Sequence, residues 1–273
     1  MLFQGKAQRL VWESIRPAYS FFYNTTGSNN TSNGFSSLAQ NTIANNNTAI
    51  GYNSLAYSKT GSNGVAIGYG SQLYANNTTT PWTNQNTSVG YESLRGSSTA
   101  ANNTGNYNTV IGYQALLSNT TGSQNTAVGM GSLILNTTGF QNTAIGTSSL
   151  SVNTTGSYNT ASGFESLLAN TTGNYNIANG YGSLQSNTTG SSNIGMGYQA
   201  GRYASLSSNL NQTSSNSIYL GYDTRASADG NNNEIVVGYG TIGNGSNTTT
   251  IGNTSTLRTY LTGLNLKAGT ATA

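Results

Sequence analysis

One glycine recurs every 17 residues along most of the chain, and this repeat constrains the fold more than any other feature. It stands in the motif N-T-A-I-G-Y-x-S-L-x-x-N-T-T-G-x-x, and eight of the twelve spacings between its copies are 17 residues. Seventeen residues is too short for a helix pair or a propeller blade, but it fits one coil of a β-solenoid. The copies are Gly34, Gly51, Gly68, Gly90, Gly112, Gly129, Gly146, Gly163, Gly180, Gly197, Gly221, Gly238 and Gly252.

Residue chemistry within the motif predicts two short strands and two turns per coil. Thr-Ala-Ile-Gly-Tyr alternates with period two, which places Thr, Ile and Tyr on one face and Ala and Gly on the other. Asn-Thr-Thr-Gly is turn chemistry, and dense Gly, Asn and Thr disfavour helix. A glycine inside a strand indicates close approach of neighbouring backbones. We expect an all-β parallel β-solenoid (β-roll) of about 13 coils, roughly 60 Å long at ~4.8 Å per coil.

Stacked coils align like residues into ladders, which build a core that no single coil forms alone. At Ile194, Ile218 and Ile235 the residue three before the glycine is apolar rather than Thr, so the last third is a variant of the same coil. Besides the glycines, the predicted ladder residues are Ile111, Val128 and Ile145, Tyr113, Leu116, Leu133 and Leu150, and Asn125, Asn142 and Asn159. A second asparagine ladder is predicted at Asn119, Asn136, Asn153, Asn170 and Asn187.

Composition excludes several function classes. The chain has no Cys and no His, which removes thiol nucleophiles, disulfides, histidine bases and zinc sites built on S or N ligands. A net charge of +3 from nine basic and six acidic residues is too thin for a nucleic-acid surface. No apolar run approaches the ~18 residues that a membrane helix needs. We expect no enzyme activity, no cofactor, no nucleic acid and no membrane insertion.

The carboxylates offer no catalytic pair. Glu92, Glu165 and Asp223 share the register two residues after the glycine. Glu92 and Glu165 are four coils apart, about 19 Å, whereas glycosidase pairs need about 5–10 Å. We interpret this register as solvent-facing. The segment 223–233 is rich in acidic and amide side chains but lacks calcium-loop spacing, so it is predicted to be a turn.

The chain divides into three parts. Residues 1–26 do not repeat and are predicted to cap the first coil or to dock onto a neighbouring subunit, with a short helix over 6–16. Residues 27–255 form the repeat shaft, and residues 256–273 form a strand-like extension. Longer spacings place loops at 76–84, 96–105 and 203–214, where Tyr74, Trp82 and Tyr203 are candidate surface contacts.

The 17-residue coil resembles those of bacteriophage tail-fibre and other virion fibre proteins. It is also similar to the head repeats of trimeric autotransporter adhesins, in which a shorter S-x-A-I-G-x-x-A repeat builds a parallel β-roll. The resemblance covers about residues 33–255. It implies a side-by-side homotrimer on the virion that binds a host-surface glycan or protein, with the N-terminal segment attached to other virion components. A bacterial cell-surface adhesin is the alternative, although the sequence shows no signal peptide, heptad stalk or membrane barrel of that family.

A further argument for oligomerisation concerns exposed ladders. A lone roll exposes either a Tyr and Leu ladder or an Ile ladder, a large apolar patch that a homo-oligomer buries.

An ice-binding solenoid is a remote alternative, which requires a flat face with two Thr per coil pointing the same way. The threonines of Asn-Thr-Thr-Gly are adjacent, so they point oppositely and disfavour that function.

Overall fold

The computed structural model describes residues 19–75, 78–99, 102–205 and 209–256. The predicted helix over 6–16 and all but the first residue of the predicted C-terminal extension lie outside these ranges. In chain order the strands are β1 (Thr31–Asn33), β2 (Thr48–Ile50), β3 (Gly61–Ser62), β4 (Val65–Ile67), β5 (Trp82–Thr83), β6 (Thr87–Val89), β7 (Thr109–Ile111), β8 (Thr126–Val128), β9 (Thr143–Ile145), β10 (Thr160–Ser162), β11 (Ile177–Asn179), β12 (Ile194–Met196), β13 (Tyr203–Ala204), β14 (Asn209–Leu210), β15 (Ile218–Leu220), β16 (Ile235–Val237) and β17 (Thr249–Ile251).

Thirteen of these strands form a single parallel sheet, one strand per coil. Its order is β1-β2-β4-β6-β7-β8-β9-β10-β11-β12-β15-β16-β17. Equivalent residues pair across coils: Ala127 of β8 lies opposite Ala144 of β9, and Val128 lies opposite Ile145. Twelve steps of ~4.8 Å give a shaft roughly 60 Å long. The prediction of an all-β parallel β-solenoid of about 13 coils is confirmed.

The core consists of residues at the centre of the strands and, in eight of the thirteen coils, of the leucine four residues after the glycine. In most strands of the sheet the central residue is buried, as Ala144 is, together with the serine and leucine that follow the glycine, Ser149 and Leu150. Ala, Ser and Leu suffice because opposite walls of the roll lie close together. In the last third, Gly201 takes the leucine position and the buried Tyr219 ring packs against it: a Cβ on Gly201 would lie 2.6 Å from Tyr219 Cδ2.

The prediction of two strands per coil is wrong, because the segment after the glycine is a turn. Ser148 and Leu150 adopt left-handed backbone conformations, with φ of 57° and 49°, and the same holds in most other coils. Their amides nevertheless bond to the neighbouring coils: Ser148 N–H donates to Met130 O at 2.9 Å, and Leu150 N–H to Ser166 O at 3.0 Å. The backbone is therefore satisfied without a second extended strand.

The recurring glycine is required by contact and by conformation. Gly146 has φ of 128°, and a Cβ there would lie 2.5 Å from the carbonyl oxygen of Gly163 on the next coil. Ten other members of the series meet the carbonyl of the next glycine in the same way. A residue with a Cβ would clash with the next coil and would rarely adopt this positive φ.

Two buried columns of asparagine link the coils. Asn142 Nδ2 donates to Gly156 O at 2.9 Å, and Asn142 Oδ1 accepts from the backbone N–H of Asn159 at 3.0 Å. In the second column Asn153 Nδ2 donates to Asn136 Oδ1 at 2.7 Å. Each amide therefore replaces hydrogen bonds to water with bonds along the stack.

The long spacings produce small additions to the roll. In the first, β5 pairs in parallel with β3, and Asn84 returns to the core, where its Nδ2 donates to Gln72 Oε1 at 2.7 Å. In the third, β13 and β14 form an antiparallel pair. In the second long spacing, the Asn103 side chain bonds to the backbone N–H and C=O of Ser97.

Candidate interaction surface

The outward residues on either side of the repeated glycine form one surface, which we call the apolar strip. It comprises the residues immediately before and after each glycine. The preceding residues are mostly aliphatic and half-exposed; Ile145, for example, is 45% exposed. The strip contains no charged residue in any of the thirteen coils. It includes Ile50, Ile67, Val89, Ile111, Val128, Ile145, Met196, Leu220, Val237 and Ile251 before the glycine, and Phe35, Tyr52, Tyr69, Tyr91, Tyr113, Met130, Phe164, Tyr181, Tyr198, Tyr222 and Tyr239 after it.

The aromatic residues of the strip form two stacks of five rings. The first runs from Phe35 to Tyr113, with neighbouring centroids 5.0–5.3 Å apart and interplanar angles of 5–9°. The second runs from Phe164 to Tyr239, with centroids 4.8–5.3 Å apart. Because neighbouring rings cover each other's faces, the stacks present ring edges to solvent. Sugars can stack only at the ends of a stack, so the tyrosine ladder is poorly suited to bind a glycan along its length.

The two aromatic stacks are separated by two coils that have no aromatic residue after the glycine. Met130 and Thr147 occupy the position after the glycine in the two intervening coils. Tyr113 and Phe164 therefore lie three coil steps apart, about 14 Å. The strip keeps its aliphatic column across this gap, through Val128 and Ile145.

Tyrosine and leucine do not share an exposed ladder, contrary to expectation. Leu116, Leu133 and Leu150 are fully buried, whereas Tyr113 is 50% exposed. The residues before and after the glycine, Ile111 and Tyr113, are both outside. The isolated chain therefore exposes the Ile and Tyr ladders together, a larger apolar surface than either alone.

The three candidate surface contacts are half-buried. Trp82 lies on the backbone of Gly61, where a Cβ would be 2.8 Å from Trp82 Cε3. Tyr74 stacks on Tyr57 with centroids 5.3 Å apart. Tyr203 lies under two guanidinium groups, with Arg202 Cζ 4.8 Å and Arg225 Cζ 5.2 Å from its ring centroid.

The carboxylates of the predicted solvent-facing register each bond to a neighbour. Glu92 forms an ion pair with Arg95 at 3.1 Å and accepts from Gln114 Nε2 at 2.8 Å. The Glu92 charge raises the pKa of the adjacent Tyr91 phenol above its ordinary value. Glu165 accepts from Gln185 Nε2.

Asp223 bonds to Arg225 through both oxygens, at 3.0 and 2.7 Å, and these hydrogen bonds raise the pKa of the Arg225 guanidinium. Asp229, in the segment predicted to be a turn, accepts from the backbone N–H groups of Gln212 and Thr213. No group of three acidic residues that would hold a metal ion occurs in the described ranges.

Sequence reasoning missed the role of Glu234. This carboxylate is fully buried, in the column that holds Asn142 and Asn159 in earlier coils. It accepts from the backbone N–H of Gly245 at 2.9 Å and from Asn231 Nδ2 at 3.2 Å. The available signal was its position four residues before Gly238, which asparagine occupies in earlier coils.

No family model, curated protein or solved structure matches this chain. Within the part of the chain that the structure describes, there is no helix long and apolar enough to cross a membrane.

Proposed function

We propose that this chain is the shaft of a homotrimeric virion fibre that attaches to a host surface. The observation that carries the proposal is the apolar strip, an uncharged line with at least one aliphatic or aromatic side chain in every coil, although Ser162 and Asn179 interrupt the aliphatic column. Monomeric soluble proteins rarely expose contiguous apolar patches above a few hundred Å². Depletion of charge together with aromatic enrichment is typical of the buried centre of protein interfaces.

Self-association in parallel fits the chemistry of the strip. Side-by-side copies of one chain bring like columns together at every coil. Because the strip is uncharged, that arrangement creates no like-charge repulsion. Trimeric order and the virion setting are supported by the resemblance of the coil motif to fibre proteins.

The trimer is tested by placing a charge on the strip. We expect the purified wild type to have three times the chain mass by light scattering and to resist SDS. Ile145→Lys is expected to dissociate it, because each copy buries an unpaired ammonium group. Thr138→Lys is the matched control, since Thr138 is exposed in the turn away from the strip. A monomeric wild type, or equal masses for both variants, contradicts the trimer.

The virion setting is tested by locating the protein on virions or on cells. Electron microscopy of the purified chain should show rods roughly 60 Å long. Gold-labelled antibodies against residues 27–255 should mark the appendages of virions. Labelling of cell envelopes without virions would instead identify a cell-surface adhesin.

A further inference from the structure

Charge is concentrated beside the third insert, at 203–214. Between Gly96 and Gly201 the chain has one charged residue, Glu165, whereas Arg202 follows at once and Arg225 lies nearby on the next coil. Both guanidinium groups contact the Tyr203 ring. A shaft that avoids charge thus places two arginines on one aromatic side chain.

The two arginines differ in their partners. Arg225 is fixed by Asp223, and its Nη1 also donates to Ser205 O at 3.3 Å. Arg202 forms no ion pair with any residue in the described ranges. Its buried Nε has no hydrogen-bond partner there either. The Arg202 charge is therefore the one at this cluster that no carboxylate compensates.

The side chains of Gln199, Gln185 and Arg202 converge over Gly182. A Cβ on Gly182 would lie 3.5 Å from Gln199 Cγ, 3.6 Å from Gln185 Oε1 and 3.8 Å from Arg202 Nη1. Gln185 is 8% exposed; its Nε2 donates to Glu165, and its Oε1 has no hydrogen-bond partner. An unpaired acceptor and an uncompensated cation thus border the same space, next to an aromatic ring.

We propose that Arg202, Gln185, Gln199 and Tyr203 bind an acidic saccharide. A carboxylate or sulfate group pairs with the Arg202 guanidinium, whose planar donors match either anion. A sugar hydroxyl donates to Gln185 Oε1, which a fully deprotonated anion such as sulfate cannot do. The proposal deepens the proposed function, since it names the class of host glycan and the coil that recognises it.

The test is calorimetric titration of the full chain with three probes. Oligogalacturonate carries carboxylates, a heparin-derived oligosaccharide carries sulfates, and methyl-esterified oligogalacturonate is the uncharged counterpart. We expect at least one acidic probe to bind and the ester not to bind. Arg202→Gln should weaken binding about 10- to 100-fold, the effect of losing a charge-assisted hydrogen bond. Arg202→Lys should fall between the wild type and Arg202→Gln.

Arg95→Gln is the matched control, because Arg95 occupies the same register five residues after a glycine but is paired with Glu92. It should bind like the wild type. Failure of both acidic probes to bind, equal binding of the ester, or equal affinities of Arg202→Gln and the wild type would overturn the proposal. Light scattering on the same samples separates the two claims: a trimer that binds no acidic probe refutes only the saccharide site, and a monomer with Arg202-dependent binding refutes only the trimer.

Discussion

Removing one amide from the buried asparagine column tests how the coils are held together. Asn142 is fully buried. Its Nδ2 satisfies the carbonyl of Gly156, and its Oδ1 satisfies the backbone N–H of Asn159 and also accepts from Asn159 Nδ2 at 3.2 Å. Asn142→Ala leaves the Asn159 N–H without its partner, whereas the Gly156 carbonyl loses one of two bonds and keeps the one from Asn153 Nδ2 at 2.9 Å.

The expected loss is large because the Asn159 N–H is left unsatisfied in a buried position. That costs about 1–3 kcal/mol, and the lost bond to the Gly156 carbonyl costs about 1 kcal/mol, so the free energy of unfolding should fall by about 2–4 kcal/mol. Guanidinium unfolding followed by circular dichroism measures the loss. Hydrogen exchange should show lower protection at the Asn159 amide. Thr138→Ala, which removes an exposed turn side chain, is the control and should change stability by less than about 0.5 kcal/mol.

Asn142→Asp separates the lost bond from the lost volume. The carboxylate keeps an acceptor for Asn159 but faces the Gly156 carbonyl with a second oxygen. Burial and this repulsion should raise the folded-state pKa of the new side chain. Its destabilisation should therefore be smallest below the unfolded pKa of ~3.9 and grow as pH rises. If Asn142→Ala matches Thr138→Ala and Asn159 protection is unchanged, the column does not hold the coils together.

Two further predictions concern backbone conformation and a buried phenol. Gly146→Ala should lower the free energy of unfolding by at least about 3 kcal/mol in guanidinium, because the added Cβ meets the Gly163 carbonyl. Ser148→Gly should be neutral or stabilising, because Ser148 has a φ of 57°. A larger loss for Ser148→Gly than for Gly146→Ala would refute the backbone assignment. Burial raises the pKa of Tyr219, so the stability it contributes is present below pH ~10 and lost above it. Tyr219→Phe should flatten the alkaline loss, and identical curves for the two proteins from pH 9 to 11 would contradict this.

The coil length, the strand and the stacking were predictable because they follow from period and residue type. Thr143, Ala144 and Ile145 alternate in the way that a half-buried strand requires. The turn after Gly146 was not predictable by the same means. Ser149 and Leu150 look like continued alternation, and nothing in the propensity of leucine indicates a positive φ. Contacts with the neighbouring coils, rather than local preference, impose that conformation.

The surface was predictable only in part. The break in the aromatic column at Met130 and Thr147 can be read from the sequence, but the face-to-face geometry of the rings cannot. The cluster over Gly182 combines side chains from two coils, and it lies where the insert after Arg202 interrupts the 17-residue alignment. Register positions remain informative only while neighbouring coils keep the same length.

The scarcity of charge now has a physical explanation that also isolates Arg202. Like charges one coil apart, at ~4.8 Å, repel by about 0.9 kcal/mol in water and by about 3.5 kcal/mol at an effective dielectric constant of 20. A repeated coil multiplies that cost, so charge is tolerated where it is single and bonded, as Glu92 is to Arg95. Each described carboxylate is hydrogen-bonded, and the other two described arginines, Arg95 and Arg225, have ion pairs. Arg202 and Lys59 are the described basic side chains without an ion pair, and the proposed acidic saccharide would supply the anion that Arg202 lacks.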